Sequence, residues 1–173
     1  MSCNIISNPS FEAGLTGWHT TPLDIATVVT SDVAYDGSNF VYGPIPPHYL
    51  YLHHLTASPS SLQTTPDAPT ANVHTYLYDL DTTASYNLTV QMRVEGDLPS
   101  VNQCTFSVEA GDDPAAGTIA SDFVWTTGEW IQLNGTYEPS VVDTVFNLVA
   151  TCSFSGDVTL LNAYFDDIVL GDC

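Results

Sequence analysis

The sequence predicts an all-β fold, an antiparallel β-sandwich. Its 173 residues include 21 Thr, 16 Val and 15 Ser, whereas Lys and Arg, which favour helices, total one. Apolar and polar residues alternate in several short segments, which turn-forming residues separate. No segment has the period of a helix. Short strands at this spacing are typical of a sandwich, and we expect a single domain over residues 1–173.

Nine segments are predicted strands, and the clearest of them is 86–95. Its apolar residues occupy every second position, so one face is expected in the core. The other face carries Gln91 and Arg93. In 144–152 the same alternation predicts that Phe146 and Cys152 point inward. The other predicted strands are 25–30, 49–54, 72–80, 104–110, 122–126, 129–137 and 164–170.

The charge balance excludes several functions. Twenty Asp and Glu residues stand against Arg93 alone, which gives a net charge of −19. Nucleic acids, anionic membranes and nucleotide phosphates need a cationic surface that this chain does not have. No apolar run approaches the ~20 residues that span a bilayer. The remaining partners are neutral ligands or other proteins.

The four cysteines, Cys3, Cys104, Cys152 and Cys173, have none of the close spacings of a zinc site. An even number of widely spaced cysteines is typical of disulfides in an oxidising compartment. Three connectivities are possible with four cysteines. We favour Cys3–Cys173, which would join the chain ends, and Cys104–Cys152, which would link two predicted strands.

Two N-glycosylation sequons agree with an extracellular, secreted protein. They are Asn87-Leu88-Thr89 and Asn134-Gly135-Thr136. We therefore predict glycosylation at Asn87 and Asn134, and expect that the chain works beside other domains of a larger secreted protein.

Motifs near both ends of the chain carry a family resemblance. The first is Asn8-Pro9-Ser10-Phe11-Glu12, followed by Gly17-Trp18, and the last is Tyr164-Phe165-Asp166-Asp167-Ile168-Val169-Leu170. Between them lie Ala34–Ser38, Tyr86–Thr89 and Trp130–Leu133. In this order they resemble the CenC-type carbohydrate-binding modules, in the divergent form that secreted fungal proteins carry. The resemblance covers nearly the whole chain and implies a galactose-binding-like jelly roll.

The resemblance also implies a structural calcium ion near the joined chain ends. Glu12 and Asp166 match its acidic positions, and a backbone oxygen of the turn 36–39, at Asn39, would complete the site. Calcium accepts such a mixture of carboxylate and carbonyl oxygens. The alternative is that Glu12 and Asp166 only hydrogen-bond the chain ends.

Sugar recognition requires aromatic faces and fixed polar groups. Tyr49, Tyr51 and His53 share one face of a predicted strand, which either lines a sugar cleft or packs under the loop 57–71. Trp125, outside the family pattern, is either an exposed platform or a core residue.

Other aromatic residues are assigned to packing. By the resemblance, Trp18 and Trp130 hold core positions. His74, Tyr76 and Tyr78 form a stripe on one strand face, and such stripes most often pack across strands.

Arg93 has two interpretations. By the resemblance, Gln91 and Arg93 meet sugar hydroxyls. The alternative is an ion pair between Arg93 and Glu95 or Glu109, because a single cation among 20 acids attracts a carboxylate.

We therefore predict a non-catalytic carbohydrate-binding module for a neutral polysaccharide or other glycan. One alternative is a cell-surface or matrix interaction protein that keeps the fold without a sugar site. The other is a small glycanase or lyase in which Glu95 and Glu109 face each other on neighbouring strands. No hydrolase motif surrounds these two residues, so an enzyme is not expected. A histidine metal site is not expected either, since the adjacent His53 and His54 point to opposite strand faces.

Overall fold

The predicted all-β architecture is confirmed. The computed structural model describes residues 4–20, 27–30, 34–37, 39–42, 62–64, 70–96, 103–111, 117–125, 128–153 and 161–171. These residues contain eleven strands and, within those ranges, no helix that could cross a membrane. The strands are β1 (His19–Thr20), β2 (Thr27–Thr30), β3 (Asn39–Tyr42), β4 (Leu62–Thr64), β5 (Thr70–Leu77), β6 (Tyr86–Gly96), β7 (Gln103–Ala110), β8 (Thr118–Trp125), β9 (Ile131–Tyr137), β10 (Thr144–Ser153) and β11 (Leu161–Gly171).

The strands form two antiparallel sheets. The five-stranded sheet has the order β1-β5-β10-β7-β8. The six-stranded sheet has the order β2-β3-β11-β6-β9, and the short β4 pairs with β11 beside β3. Because side chains alternate along each strand, each sheet turns one face to its partner and one outward.

The core lies between the two sheets. Phe106 of β7 and Phe165 of β11 are fully buried, and their ring centroids are 5.1 Å apart, so they pack one sheet on the other. The inward faces predicted for β6 and β10 are confirmed. Their buried residues are Tyr86, Leu88, Val90, Met92 and Val94, and Phe146, Leu148, Ala150 and Cys152.

Most predicted strands differ from the observed ones by a few residues at their ends. The largest shift is in β8, Thr118–Trp125, which begins four residues before the predicted 122–126. The sequence did not predict β1, β3 and β4, because runs of two to four residues are too short to show an alternation. The predicted strand 49–54 lies outside the described residues.

One disulfide joins the two central strands of the five-stranded sheet. Cys104 of β7 and Cys152 of β10 are direct register partners and are bonded to each other, as predicted. Both side chains are buried in the core. Cys3 and Cys173 lie outside the described residues, and their pairing stays a prediction.

We expect the double substitution Cys104→Ala and Cys152→Ala to lower the free energy of unfolding. The disulfide closes a loop with a sequence separation of 48, and a loop of that length is worth about 4 kcal/mol in the chain-entropy model. Urea unfolding followed by tryptophan fluorescence measures the change. Equal midpoints for the variant and the oxidised wild type would contradict the prediction.

Candidate functional site

A row of polar side chains crosses the outward face of the five-stranded sheet. Glu109 of β7 lies opposite Asn147 of β10, and Asn147 lies opposite His74 of β5. His74 in turn lies opposite His19 of β1. These four residues are called the polar row below. They place acceptors and donors along a line across four strands.

Hydrogen bonds fix the orientation of the side chains around the polar row. Ser107 Oγ donates to Glu109 Oε1 at 2.7 Å. Asn72 Nδ2 donates to Asn147 Oδ1 at 3.4 Å, and Asn147 Nδ2 donates to the carbonyl of Gly111 at 3.4 Å. Asn72 Oδ1 is buried and accepts no hydrogen bond from the part of the chain that the structure describes. A buried acceptor without a donor favours a ligand hydroxyl or a water at this point.

Exposed tyrosines stand at one end of this face. The side chains of Tyr76 and Tyr78 are 46% and 66% exposed, and their rings stack with an interplanar angle of 18°. The rings of His19 and His74 lie edge-on to Tyr76, with centroids 5.5 and 5.7 Å away. We call Tyr76 and Tyr78 the tyrosine end.

Two clefts flank the tyrosine end. One has a volume of about 400 Å³ and the other about 340 Å³. The first is lined by Ile5, Ser7, Gly17, His19, Thr75, Tyr76, Leu77 and Tyr78, and the second by Tyr76, Tyr78, Gly111, Val141, Asp143, Thr144 and Val145.

Two more aromatic side chains lie at the other end of the same sheet. Phe123 and Trp125 of β8 are 59% and 49% exposed. They lie opposite Thr105 and Gln103 of β7, so they share the outward face. We call Phe123 and Trp125 the tryptophan end. Of the two predicted roles for Trp125, the structure shows the exposed platform.

The two aromatic ends lie on either side of the polar row. Three strand-to-strand steps separate β5 from β8, which is roughly 14 Å. Tyr76 of β5 lies opposite Val145 of β10. Phe123 of β8 lies opposite Thr105 of β7, which in turn lies opposite Thr151 of β10. That offset of six residues along the strand adds roughly 20 Å. A ligand that touches both ends therefore crosses the polar row on a diagonal.

The cross-strand packing predicted for the stripe of His74, Tyr76 and Tyr78 is present at Tyr76, whose ring lies edge-on to His19 of β1, but both tyrosines are exposed. Alternation in the sequence placed them on one face. It did not indicate whether another layer covers that face, because such a layer comes from residues distant in the sequence.

Gln91 and Arg93 lie on the outward face of the other sheet. Arg93 forms an ion pair with Glu95, and its guanidinium carbon lies 6.0 and 5.8 Å from the ring centroids of Trp130 and Tyr164. The Tyr164 hydroxyl donates to Glu95 Oε2 at 2.7 Å. The side chain of Arg93 is 14% exposed. These contacts fix the only cation of the sequence within a structural cluster.

Gln91 is buried beside this cluster and donates to Gln132 Oε1 at 3.4 Å. Trp18 is a core residue, as predicted, and packs on Phe11 with ring centroids 5.2 Å apart. Trp130 is half-buried beside Arg93 and edge-on to Tyr35, at 6.2 Å, so its core assignment is wrong.

The carboxylate pair considered for a glycanase does not exist. Glu95 lies on β6 of the six-stranded sheet, and Glu109 lies on β7 of the five-stranded sheet. Both side chains point outward, on opposite surfaces of the sandwich, so they cannot flank one glycosidic bond. They were expected on neighbouring strands because β6 and β7 are consecutive, but the chain changes sheets between them.

Asp166 holds the turn at 34–37 with its carboxylate. The side chain is fully buried at the point where the register between β11 and β6 shifts. Its Oδ2 accepts the N–H of Tyr35 at 2.8 Å and of Asp36 at 3.1 Å. Its Oδ1 accepts the N–H of Asp167 at 2.8 Å. Burial raises the pKa of Asp166 to about 6, although these three N–H groups act in the opposite direction.

Glu12 holds the neighbouring part of the same turn. Its Oε1 accepts the backbone N–H of Asn39 at 2.7 Å, and the Asn39 side-chain amide donates to Oε2 at 3.3 Å. A Cβ added at Gly37 would lie 2.7 Å from Glu12 Cδ, and Gly37 has a φ of +67°. Both facts require glycine at this position.

Glu12 and Asp166 thus hydrogen-bond Tyr35, Asp36 and Asn39 rather than the chain ends. Within the described ranges, no group of three or more His, Cys, Asp or Glu side chains is arranged to hold a metal ion. Carboxylate oxygens that accept N–H groups keep lone pairs that a calcium ion can use. A calcium ion at Glu12, Asn39 and Asp166 stays a prediction.

The other predicted site residues divide into two groups. Tyr49, Tyr51 and His53 lie outside the described residues. Asn87 of β6 and Asn134 of β9 are exposed on the outward face of the six-stranded sheet, where a glycan can be attached.

Solved structures share this architecture, whereas no family model and no curated protein matches the sequence. One is a Clostridium thermocellum xylanase 10B containing CBM22-1 and GH10 modules with xylohexaose, at 17% identity and a TM-score of 0.58. The match covers 99% of this chain and 29% of the xylanase chain. A second is TmCBM61 with β-1,4-galactotriose, at 18% identity and a TM-score of 0.54, covering 99% of this chain and all of the other.

A third is the CBM22-1 xylan-binding domain of Paenibacillus barcinonensis Xyn10C, at 16% identity and a TM-score of 0.56. That match covers 94% of this chain and 90% of the other. The chain has the β-sandwich fold of carbohydrate-binding modules. At such low identities the likeness concerns the fold, and the CenC-type and fungal assignments stay predictions.

The buried Asp166 predicts an unusual pH dependence for the calcium-free protein. Because its pKa is about 6 in the folded state and 3.8 ordinarily, the folded protein binds the proton more tightly. The tighter proton binding at Asp166 therefore stabilises the fold fully below pH ~4. This stabilisation is lost as the pH rises through ~6, a difference of up to about 3 kcal/mol in the free energy of unfolding.

We therefore expect the melting temperature in EGTA to rise from pH 7 to pH 5 more steeply for the wild type than for Asp166→Asn. Comparing the two slopes removes the general effect of protonating other acids. Asp79→Asn, an exposed site, is the matched control and should keep the wild-type slope. Parallel profiles for wild type and Asp166→Asn would contradict the assignment.

Proposed function

We propose that this protein is a secreted, non-catalytic carbohydrate-binding module that binds a neutral glycan on the outward face of the five-stranded sheet. One observation carries the proposal. Exposed aromatic rings lie on both sides of the polar row, and Asn72 Oδ1 beside the row is a buried acceptor without a donor among the described residues. Aromatic rings receive the apolar faces of sugar rings, and the polar groups receive hydroxyls.

The charge of the site favours neutral sugars. Glu109 lies in the polar row, and Asp143 lines one of the clefts beside the tyrosine end. The single cation, Arg93, lies on the opposite sheet and is already paired with Glu95. An anionic glycan would meet repulsion without a compensating ion pair, and salt screens this repulsion only beyond about 10 Å.

The structural neighbours support the ligand class. Their names describe a complex with xylohexaose, a complex with β-1,4-galactotriose and a xylan-binding domain. A xylan-like or galactan-like neutral polysaccharide is therefore the first ligand to test.

The carboxylate pair considered for the enzyme alternative is not formed among the described residues. Glu95 and Glu109 are on opposite surfaces, and the buried Asp166 is held by three N–H groups, so neither arrangement offers an acid and a base across a cleft. The interaction-protein alternative predicts a flat polar face, which the exposed rings argue against. The disulfide and the two sequons support the extracellular location and a role beside other secreted domains.

The first experiment measures binding to soluble xylan, galactan, glucan and mannan by affinity electrophoresis, with insoluble chitin in a pull-down. Trp125→Ala and Tyr76→Ala should each weaken binding about tenfold or more, equivalent to about 1.4 kcal/mol, because each removes a stacking surface. Tyr35→Ala removes an equally exposed ring outside this face and should leave affinity unchanged. No binding to any glycan by the folded protein would reject the proposal.

The same experiment tests the other predicted contacts. Gln91, Arg93, Tyr49, Tyr51 and His53 stay predicted sugar contacts until they are substituted. Because Gln91 is buried beside a structural cluster, we expect Gln91→Ala to lower the melting temperature and to leave the affinity unchanged. A loss of affinity at an unchanged melting temperature would move the site to the six-stranded sheet.

The calcium ion forms a second part of the proposal. Its ligands would be carboxylate oxygens of Glu12 and Asp166, which keep lone pairs beside their N–H donors, and a backbone oxygen of Asn39. If calcium binds, adding it to EGTA-treated protein raises the melting temperature, and Glu12→Gln removes most of the rise. An unchanged melting temperature would leave both residues with hydrogen-bonding roles only.

A further inference from the structure

Strand β9 is an edge strand without the usual protection. It ends the six-stranded sheet, and among the described residues no strand pairs with its free side. Its residues, Ile131–Tyr137, include no charged residue and no proline. Its register with β6 runs without a bulge over seven residue pairs. A regular, uncharged edge of this kind invites pairing with another chain.

The other three edges of the sandwich are better protected. The edge strand β1 has two residues and β2 has four, which is too short for stable pairing. The edge strand β8 carries Asp122 and follows an irregular register with β7 near Glu109. Around β9 the nearest charges are Glu129 and Glu138, which flank the strand rather than interrupt it.

A sequon occupies the middle of this unprotected edge. Asn134, Gly135 and Thr136 all lie within β9, and Asn134 is exposed on the outward face. Gln132 Nε2 donates to Asn134 Oδ1 at 2.7 Å. This bond involves the amide oxygen of Asn134. It does not involve Nδ2, the atom to which an N-glycan is attached.

The second sequon lies directly beside the first but on an inner strand. Asn87 pairs with Thr136, and Thr89 pairs with Asn134, so the two sequons face each other across β6 and β9. The two asparagines are diagonal neighbours, with side chains roughly 7–8 Å apart. A glycan on Asn87 would cover the sheet face, whereas one on Asn134 stands at the edge itself.

We propose that Asn134 carries an N-linked glycan that prevents β9 from pairing with an edge strand of another copy. The glycan blocks edge pairing as lysine or proline does on the edge strands of other proteins. This chain has a single cation and so has little charge of that kind to place there. In the attachment step, Asn134 Nδ2 forms a bond to the anomeric carbon of a lipid-diphosphate-linked oligosaccharide. The lipid diphosphate leaves, and one amide proton passes to a base. The proposal rests on the extracellular location and is independent of glycan binding.

The test begins with the full chain secreted from a yeast host, followed by glycopeptide mass spectrometry. We expect Asn134 to be occupied. Asn134→Gln and the matched control Asn87→Gln are then compared by size-exclusion chromatography with light scattering at physiological salt. Asn134→Gln should show at least a several-fold larger oligomer fraction, while Asn87→Gln stays monomeric.

Two further measurements separate the glycan from the side chain. Endoglycosidase trimming of the folded, secreted wild type should produce the same oligomers, without any substitution that could impair folding. Adding Gln132→Lys to Asn134→Gln should restore the monomer, because it returns a charge to the edge. An unoccupied Asn134, or trimmed protein and Asn134→Gln that both remain monomeric, would overturn the proposal.

Discussion

The buried carboxylate of Asp166 is the interaction on which the arrangement of the six-stranded sheet depends. It sits at the register shift of β11, the strand that contacts β3, β4 and β6. Its Oδ2 holds the turn at 34–37 through the N–H groups of Tyr35 and Asp36, and its Oδ1 accepts the N–H of Asp167. Glu12, in the N-terminal loop, holds the adjoining Asn39. Loss of this carboxylate would leave buried N–H groups unpaired, at about 1–3 kcal/mol each. Burial, with a smaller contribution from the neighbouring charge of Asp167, raises the pKa of Asp166 despite these hydrogen bonds.

The two outward faces differ because the chain has one cation. Arg93 lies beside two aromatic rings and pairs with Glu95 on the six-stranded sheet. Its positive charge is therefore neutralised there. The five-stranded sheet receives neutral and acidic side chains, with the exposed rings of Tyr76 and Trp125 at its ends. A surface of this composition lacks a cation to pair with phosphate or uronate but offers hydrogen-bonding groups to hydroxyls. This composition supports the proposal that the outward face of the five-stranded sheet binds a neutral ligand.

The sequence predicted local patterns well and non-local ones poorly. The alternation in β6 and β10 assigned their buried faces, and the Cys104–Cys152 disulfide follows from the inward direction of both residues. Whether a stripe such as Tyr76 and Tyr78 is covered depends on distant segments, so its exposure could not be predicted. The separation of Glu95 from Glu109 has the same cause, because strands that are consecutive in a jelly roll often belong to different sheets. The alternation of residues within one strand does not show which sheet the strand joins or whether another segment covers it.

Close packing couples the edges of the two sheets. A Cβ added at Gly135 of β9 would lie 2.8 Å from the Cβ of Ala120 of β8, so the middle residue of the sequon at Asn134 must be glycine for the strands to approach. The edges of both sheets therefore lie side by side on one flank of the sandwich. A glycan on Asn134 would shield β8 as well as β9 from other chains. The glycan would also stand on the outward face of the six-stranded sheet, whereas Phe123 and Trp125 of β8 point to the opposite surface of the sandwich. A glycan that protects the edge would therefore leave the proposed binding face accessible.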